Sequence, residues 1–315
     1  MTNRHSAVLI GLGQIGMGYD LDLPSDQIYS HLRALQSHSQ FRLISAVDPV
    51  ESIRNEFEKR TGVKAVSTTK ELTDEARGAD LIVVAAPTSL HCALFEEVLQ
   101  WNSRLILLEK PIAFTRSEGE RMRAALAASS SACAVNYFRR FDPGMQALKK
   151  KIESGNFGEF RSGRGEYSKG LLNCGSHYVD LVSYLVGEPL SQKSLGKPRD
   201  WYMKPFDPDL DFSIGYPKGE INFSVSDWKT DEKGNVELEF SLAKVALTQF
   251  CNQIMVTDRK SGNVQSIPTD MRRYQWNVLD RLAAHLNEGL RLPSDFESAY
   301  TTFSICEKII YQDSF

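Results

Sequence analysis

Short apolar runs at 7–10, 43–47, 81–86 and 104–108 punctuate the first 136 residues, and stretches with helical spacing such as 91–100 separate them. Runs that short, apolar on both faces and bounded by turn residues, read as strands of a parallel sheet covered on both sides. Their alternation with helices predicts a doubly wound α/β sheet. Beyond Asn136 the pattern changes. Segments near 158–168, 211–216, 219–229, 234–243 and 246–257 keep strand character without long helices between them. Tight turns such as Lys233-Gly234-Asn235 divide some of them. A mainly antiparallel, open-faced sheet is expected there, after which 276–290 and 296–311 return to helical spacing. The chain divides on this reading into an α/β domain at 1–136 and an α+β domain at 137–315. No helical segment remains between the later strands to shield their flat face, so a homodimer or homotetramer joined through that sheet is expected.

Composition narrows the partners. The 315 residues carry 37 basic and 40 acidic side chains, a formal charge of −3, and the basic run Lys149-Lys150-Lys151 is short and lies in helical spacing. No nucleic-acid partner is expected. The five cysteines, at 92, 133, 174, 251 and 306, form no CxxC pair and no cluster with histidine. Neither a disulfide framework nor a metal site is expected, which points to a reduced, cytoplasmic compartment. No apolar stretch is long enough to span a membrane, and the first residues run directly into a strand, so neither a membrane partner nor a removable leader is expected.

The first apolar run ends in Gly11-Leu12-Gly13-Gln14-Ile15-Gly16, the spacing of a dinucleotide-binding turn. Gly11 suits the tight turn, Gly13 a close approach of backbone to pyrophosphate, and Gly16 close packing of a following helix whose amino end favours the phosphates. The second run ends in Asp48, placed to accept bonds from ribose hydroxyls. A carboxylate there favours NAD, and nearby Arg54 leaves NADP possible. Asp48 follows Gly16 by 32 positions (16 to 48), against a usual spacing of about 20. The excess maps to Tyr19–Asp26, which carries a proline and no helical spacing, and a helix restarts after the candidate cap Ser30. This insertion reads either as a rim of the active site, with His31 reaching cofactor or substrate, or as a surface loop with a solvent-facing histidine.

Two further runs end in chemistry-bearing residues. Pro87-Thr88 follows the third run, at a strand edge along the expected dinucleotide, and His91 lies three residues on. The fourth run leads into Glu109-Lys110-Pro111, where proline keeps Lys110 out of the helical region and at a strand end facing the ligand crevice. Later, Asn173, His177 and Asp180 fall four and then three apart and share a face of a helix that is otherwise apolar. Gly170 and Gly175 within that helix imply a close approach, because glycine there costs about 1 kcal/mol.

These blocks, with Asn136-Tyr137-Phe138-Arg139-Arg140-Phe141 and Gly175-Ser176-His177-Tyr178-Val179-Asp180, resemble the glucose-fructose oxidoreductase and inositol 2-dehydrogenase family over nearly the whole chain. The resemblance implies a Rossmann domain, an open-faced sheet domain that pairs subunits, and oxidation or reduction of a sugar or polyol carbon with a nicotinamide cofactor. It places Glu109, Lys110 and Asn136 at the cofactor beside Gly11 to Gly16, Asp48, Pro87, Thr88 and His91. Lys110 is then expected to polarise the substrate oxygen, His177 to act as general base and Asn173 to orient the reacting hydroxyl. Asp180 joins the substrate residues, and Arg139 or Arg140 either binds an anionic substrate group or serves as salt-bridged scaffold. The family's dehydrogenases commonly carry aspartate where this chain has Asn173. An amide supports a protonated neighbour less than a carboxylate does, which favours a neutral base. Asparagine-containing members that act on nucleotide-linked sugars and uronates point to that substrate class. Members that bind dinucleotide and regulate keep a non-catalytic sensor as the alternative.

Overall fold

Six strands form one parallel sheet: β1 (His5–Ile10), β2 (Phe41–Val47), β3 (Ala65–Val66), β4 (Leu81–Val84), β5 (Leu105–Leu108) and β6 (Ala132–Val135), in the order β3-β2-β1-β4-β5-β6. The computed structural model describes residues 4–200, 206–227, 229 and 234–311. Helices α1 (His31–Ser37), α2 (Glu51–Thr61), α3 (Asp74–Arg77), α4 (His91–Leu99) and α5 (Arg116–Ala127) connect the strands. β4 and β5 are buried at every position, as expected of central strands covered on both faces. The register is level across the sheet: Ile10 pairs with Val47 and Val84, Val84 with Leu108, and Leu108 with Val135. Asp48, Gly11, Ala85, Glu109 and Asn136 therefore follow one another along its carboxyl edge. The strand order reverses between β1 and β4, which is where an open α/β sheet takes its ligand.

The chain packs as two units, one of Met1–Phe141 with Arg272–Tyr300 and one of Asp142–Met271 with the chain from Thr301 onward. A single boundary at 136 describes only the first crossing. α8 (Tyr274–Glu288) returns to the first unit, where Val278, Leu279, Leu282, Ala283 and Leu286 join the core that includes Leu9, Leu32 and Phe41. Helical spacing alone reveals which face of such a helix is apolar, and not which sheet it covers.

The second unit holds an eight-stranded sheet of β7 (Phe160–Tyr167), β8 (Ser191–Ser194), β9 (Phe212–Tyr216), β10 (Gly219–Val225), β11 (Val236–Phe240), β12 (Ala243–Thr248), β13 (Gln253–Asp258) and β14 (Val264–Ile267), ordered β14-β13-β12-β11-β7-β10-β9-β8. Its pairs are antiparallel except β7 with β10. α6 (Pro143–Glu153) and α7 (Ser176–Val186) belong to this unit, and α9 (Phe296–Tyr311) ends in it. On β11, Val236, Leu238 and Phe240 are buried, while Glu237 and Glu239 between them pair with Arg164 and Lys244 on the opposite, polar face. The expected strand at 246–257 proves to be parts of β12 and β13, divided by a turn in which Gln249, Phe250 and Cys251 have φ of 53°, 58° and 64°. No glycine or proline marks that turn. The short outer strands β8 and β14 were not expected, and β10 stops at Val225, short of 229. Lys233, expected in a tight turn, lies outside the described residues.

Among the described residues no helix is long and apolar enough to cross a membrane, and no group of three or more histidine, cysteine or acidic side chains is placed to hold a metal ion.

Candidate active site

The glycine turn is built by close backbone approaches. Gly11 has φ +96°, and a Cβ there would lie 2.6 Å from the Ala85 carbonyl oxygen; one at Gly16 would lie 2.1 Å from the Gly11 carbonyl oxygen. Neither position admits a side chain without movement of the backbone. At Gly13 nothing lies within 4 Å of the Cβ position, so the turn has an open side of the kind a pyrophosphate needs. Gln14 is exposed and Ile15 half-buried on the same turn. Asp48 closes the turn from the end of β2, one carboxylate oxygen accepting from the Leu12 N–H and the other from the Val50 N–H, each at 2.9 Å. Each oxygen keeps a lone pair for a ribose hydroxyl. Arg54 donates to the carbonyl oxygens of Asp48 and Pro49 at 2.8 and 2.9 Å, beside that carboxylate. This set of residues fits a dinucleotide.

The helix expected directly after Gly16 is interrupted. One turn forms from Gly13, whose carbonyl accepts from Met17 and Gly18, and α1 begins only at His31. The chain returns to where it left: the His31 and Leu32 N–H groups donate to the Ile15 and Gly16 carbonyls at 3.0 and 2.9 Å. Two donors left open at a helix start are thereby satisfied, and the glycine turn and α1 stack as one column. Ser30 caps α1, accepting from the Arg33 N–H, and its hydroxyl in turn donates to buried Asp20 at 2.6 Å. Asp20 also accepts the Tyr29 and Ser30 N–H groups, each at 2.7 Å.

Arg33 organises the rest of the insertion. Its guanidinium donates to the carbonyls of Leu23, Pro24 and Gln27 at 2.9, 2.8 and 3.1 Å, and also to that of Asp20. Arg33→Ala leaves these four carbonyls to water. Amide hydrogen exchange across 20–28 then accelerates about 10- to 100-fold, the equivalent of about 1.5–3 kcal/mol of charge-assisted bonding, with α4 and α5 unchanged. Unaltered exchange would show that the backbone turns alone hold the insertion.

His31 does not reach outward. It is 1 % exposed, and its Nε2 lies 2.8 Å from Glu109 Oε1, which corrects both the expectation of a substrate contact and that of a solvent-facing ring. Glu109 and Asn136, expected at the cofactor, are themselves buried, and the Asn136 amide donates to the same Glu109 oxygen at 2.5 Å. Burial pushes the Glu109 carboxyl up, but the His31 hydrogen bond and charge, the Asn136 amide and the Lys110 charge outweigh it and hold the group below its ordinary value. Asn136 Oδ1 is buried without a hydrogen-bond partner.

Lys110 follows, half-buried, joined to Pro111 by a cis peptide bond. Pro87 is exposed and Thr88 half-buried beyond β4, on the same sheet edge. His91 is fully buried, its ring nitrogens each 2.9 Å from a carbonyl oxygen, of Pro111 and of Ala86. That geometry straps the loop after β5 to the loop after β4 and leaves no ring nitrogen for a dinucleotide. Burial is the main reason its pKa lies below the ordinary histidine value, so at neutral pH the ring is uncharged and donates to one of the two carbonyls.

Arg139 and Arg140 are 8 % and 6 % exposed. Arg140 donates to the Pro293 carbonyl at 3.3 Å, and the Arg139 guanidinium lies 4.7 Å from the centre of the Phe138 ring. Their burial favours the scaffold reading over an anion site.

In the second unit, the expected single helix is a π-helical turn at Gly170–Gly175 running into α7. Lys169 and Gly170 enter it with φ of 65° and 88°, and a Cβ on Gly175 would lie 2.9 Å from the Tyr167 ring. Such turns recur at functional sites. Asn173 sits in the turn, half-buried, its amide donating to the Lys169 carbonyl at 3.0 Å, and His177 is half-buried in the first turn of α7. Asp180 is 1 % exposed and accepts from the Thr302 hydroxyl at 3.2 Å, which corrects its assignment to substrate. Wider π winding ends at Gly175, so it changes the angle between Asn173 and His177, while His177 and Asp180 keep ordinary helical spacing within α7.

Two acids that sequence reasoning missed hold the turn. Asp207 accepts from the Leu172 and Asn173 N–H groups at 2.6 and 3.2 Å, and Asp209 from Gly170 at 2.7 Å. The only signal was the spacing of Asp207, Asp209 and Asp211, which surface loops share.

Comparison with known proteins agrees with this architecture. The chain is 23 % identical over 209 residues to scyllo-inositol 2-dehydrogenase (NAD(+)) of Bacillus subtilis strain 168, covering 62 % of this chain and 57 % of that protein. It is 29 % identical over 154 residues to inositol 2-dehydrogenase of Rhizobium meliloti strain 1021, covering 48 % and 41 %. The matches thus span about half the length of these curated relatives. Among solved structures, the WlbA dehydrogenase of Bordetella pertussis, in complex with NADH and UDP-GlcNAcA, shares the fold with a TM-score of 0.81 at 18 % identity, over 99 % of this chain and 97 % of that one. Levoglucosan dehydrogenase in complex with NADH and levoglucosan has a TM-score of 0.82 at 16 % identity, over 99 % and 98 %. Residues 6–137, which hold the glycine turn, Asp48 and the Glu109-Lys110-Pro111 strand end, match the GFO_IDH_MocA model, an oxidoreductase family with an NAD-binding Rossmann fold.

Proposed function

We propose that the protein is an NAD-dependent dehydrogenase or reductase acting on a CH–OH carbon of a sugar or sugar derivative. The observation that carries this reading is the level carboxyl edge of the parallel sheet, which brings an open glycine turn, the Asp48 carboxylate and Lys110 into one row. The names of the relatives support the substrate class: inositol, a UDP-linked uronate and levoglucosan are all polyhydroxylated rings. Asn173 supports a nucleotide-linked sugar or uronate as the finer assignment, because its amide can donate to a carboxylate or carbonyl as well as accept from a hydroxyl.

NAD, when bound, supplies the hydride acceptor or donor. The chain supplies the rest. Gly11 to Gly16 receive the phosphates through backbone N–H groups, Asp48 binds the ribose diol, and Pro87 and Thr88 line the dinucleotide. The Lys110 ammonium lies against the reacting oxygen and stabilises negative charge as the hydroxyl loses its proton. His177 takes that proton, and Asn173 orients the hydroxyl. The polar face of the eight-stranded sheet, with charged residues of both signs, is the surface through which copies of the chain pair.

The test is absorbance at the reduced nicotinamide band while the protein and NAD meet free sugars, polyols, sugar phosphates, and nucleotide-linked sugars and uronates. Reduction with a nucleotide-linked uronate and at least about 100-fold less with free polyols is the expected pattern, since a site built for polar groups rejects analogues that lack them. Turnover of free inositol alone would place the chain with the polyol dehydrogenases. No turnover with any of them, while dinucleotide binds, would favour a dinucleotide-responsive sensor.

A further inference from the structure

We propose that His31 is a positioning residue for Lys110, tying the lysine through Glu109 to the glycine turn that receives the dinucleotide. The inference rests on Lys110 acting in the reaction and adds a residue that touches neither substrate nor cofactor.

The chain of contacts is continuous within the first unit. The His31 backbone N–H donates to Ile15 in the glycine turn at 3.0 Å, and its ring donates from Nε2 to Glu109 Oε1 at 2.8 Å. A carboxylate only accepts, so the proton of that bond resides on Nε2. The other Glu109 oxygen accepts from the Lys110 backbone N–H at 3.3 Å. The carboxylate therefore holds the peptide from which the lysine side chain departs. One residue thus grips the cofactor turn with its backbone and the lysine's neighbour with its ring.

Among the described residues three groups donate to Glu109, and two belong to its own sheet edge: Lys110 is the next residue, and Asn136 follows the adjacent strand β6. The third, His31, comes from another layer. Taking a carboxylate out of water costs several kcal/mol unless its oxygens are satisfied, so loss of this donor destabilises the ionised form at a buried site. The titratable groups around Glu109 are His31, Lys110, His91, which senses its charge, and the Tyr274 phenol, which that charge pushes up further after burial has raised it. Among these, His31 supplies the side-chain hydrogen bond.

The sign of the pH effect follows. Glu109 is held below the ordinary carboxyl value, so it is ionised at neutral pH and protonates only as pH falls through its lowered value. Without the His31 donor that value rises, and the carboxylate loses its grip on Lys110 at a higher pH. In His31→Leu, kcat falls about 100-fold, as a misplacement near 1 Å produces, and the acid limb of the kcat profile moves to higher pH. KM and NADH affinity, read by fluorescence titration, stay within about threefold because the backbone bond to Ile15 survives. His31→Gln, whose amide reaches and donates at every pH, recovers kcat to within about tenfold and restores the acid limb. If His31→Leu does not fold, His31→Asn, polar but too short to reach Glu109, takes its place with the same expected profile.

A readout free of turnover accompanies these. In the protein without cofactor, the imidazole 15N spectrum shows a proton on His31 Nε2, and Glu109→Gln shifts that resonance. A wild-type kcat and acid limb in His31→Leu, or equal losses in the Leu and Gln variants, would overturn the proposal. Turnover retained in Lys110→Met would instead remove the lysine from the reaction, so the two failures are told apart.

Discussion

Lys110→Met lowers turnover by about 10³- to 10⁴-fold and leaves dinucleotide affinity unchanged. Methionine keeps the unbranched apolar stem that a half-buried lysine packs against its surroundings and removes only the ammonium. The backbone contacts of the strand end do not depend on that ammonium: Glu109 donates its N–H to Val84 at 3.0 Å and accepts the Lys110 N–H at 3.3 Å. The proposed dinucleotide contacts, Gly11 to Gly16 and Asp48, lie at the ends of other strands. Loss of the positive charge is therefore felt where negative charge develops on the substrate oxygen, not where phosphates and ribose bind. Initial rates of nicotinamide reduction measure the first effect and quenching of protein fluorescence by NADH the second. Turnover within tenfold of wild type would leave His177 as the proton acceptor and assign Lys110 to the scaffold. A joint loss of turnover and NADH binding would make the lysine a cofactor ligand.

Much of the first sheet was legible because its signal is local. Runs such as Leu81–Val84 and Leu105–Leu108, buried at every position, have the length and composition of central parallel strands, and the residues that end them are the ones the level register aligns. Gly11, Gly16 and Asp48 were legible because their spacing forms a recurring motif, although Gly11 packs against Ala85 and Asp48 accepts from Leu12, 36 positions back. What escaped were long-range pairings that no such motif marks. His31 meets a carboxylate 78 positions away, and nothing in its neighbours distinguishes a ring turned inward from one facing water. Asp207 reaches back 35 positions to the turn that carries Asn173. The chain enters a left-handed conformation at Lys169 and Gly170 and winds as a π-helix to Gly175, so α-helical spacing misstates the angle between Asn173 and His177, and it gives no sign that Asp180 is buried on Thr302, 122 positions away. Hydrophobic spacing reports burial against a core. It carries no information on which buried polar groups are paired.

That distinction gives the glycine turn a decisive pair of variants. Gly11→Ala destabilises the protein by about 2–6 kcal/mol, the sum of a left-handed non-glycine residue and of overpacking against a backbone atom that no rotamer relieves. The added methyl would sit 2.6 Å from the Ala85 carbonyl oxygen and 2.8 Å from the Ala86 nitrogen, at the hydrogen-bonded ends of β1 and β4. Set against a total stability of about 5–15 kcal/mol, the loss lowers the urea midpoint sharply and can leave the first unit unfolded at 37 °C. Gly13→Ala meets nothing within 4 Å and unfolds at the wild-type midpoint. Its methyl does occupy the open side of the turn, so NADH affinity falls about 10- to 100-fold if the pyrophosphate lies there. Urea unfolding followed by circular dichroism, with NADH titration of each variant, separates the two effects. Gly13→Ala with wild-type affinity would place the phosphates elsewhere on the edge, and Gly11→Ala with a wild-type midpoint would show that β4 can retreat from β1 at little cost. The expected pairing, stability lost at one glycine and binding lost at the other two residues away, is the signature of a turn whose inner face is filled by the protein and whose outer face is shaped for a ligand.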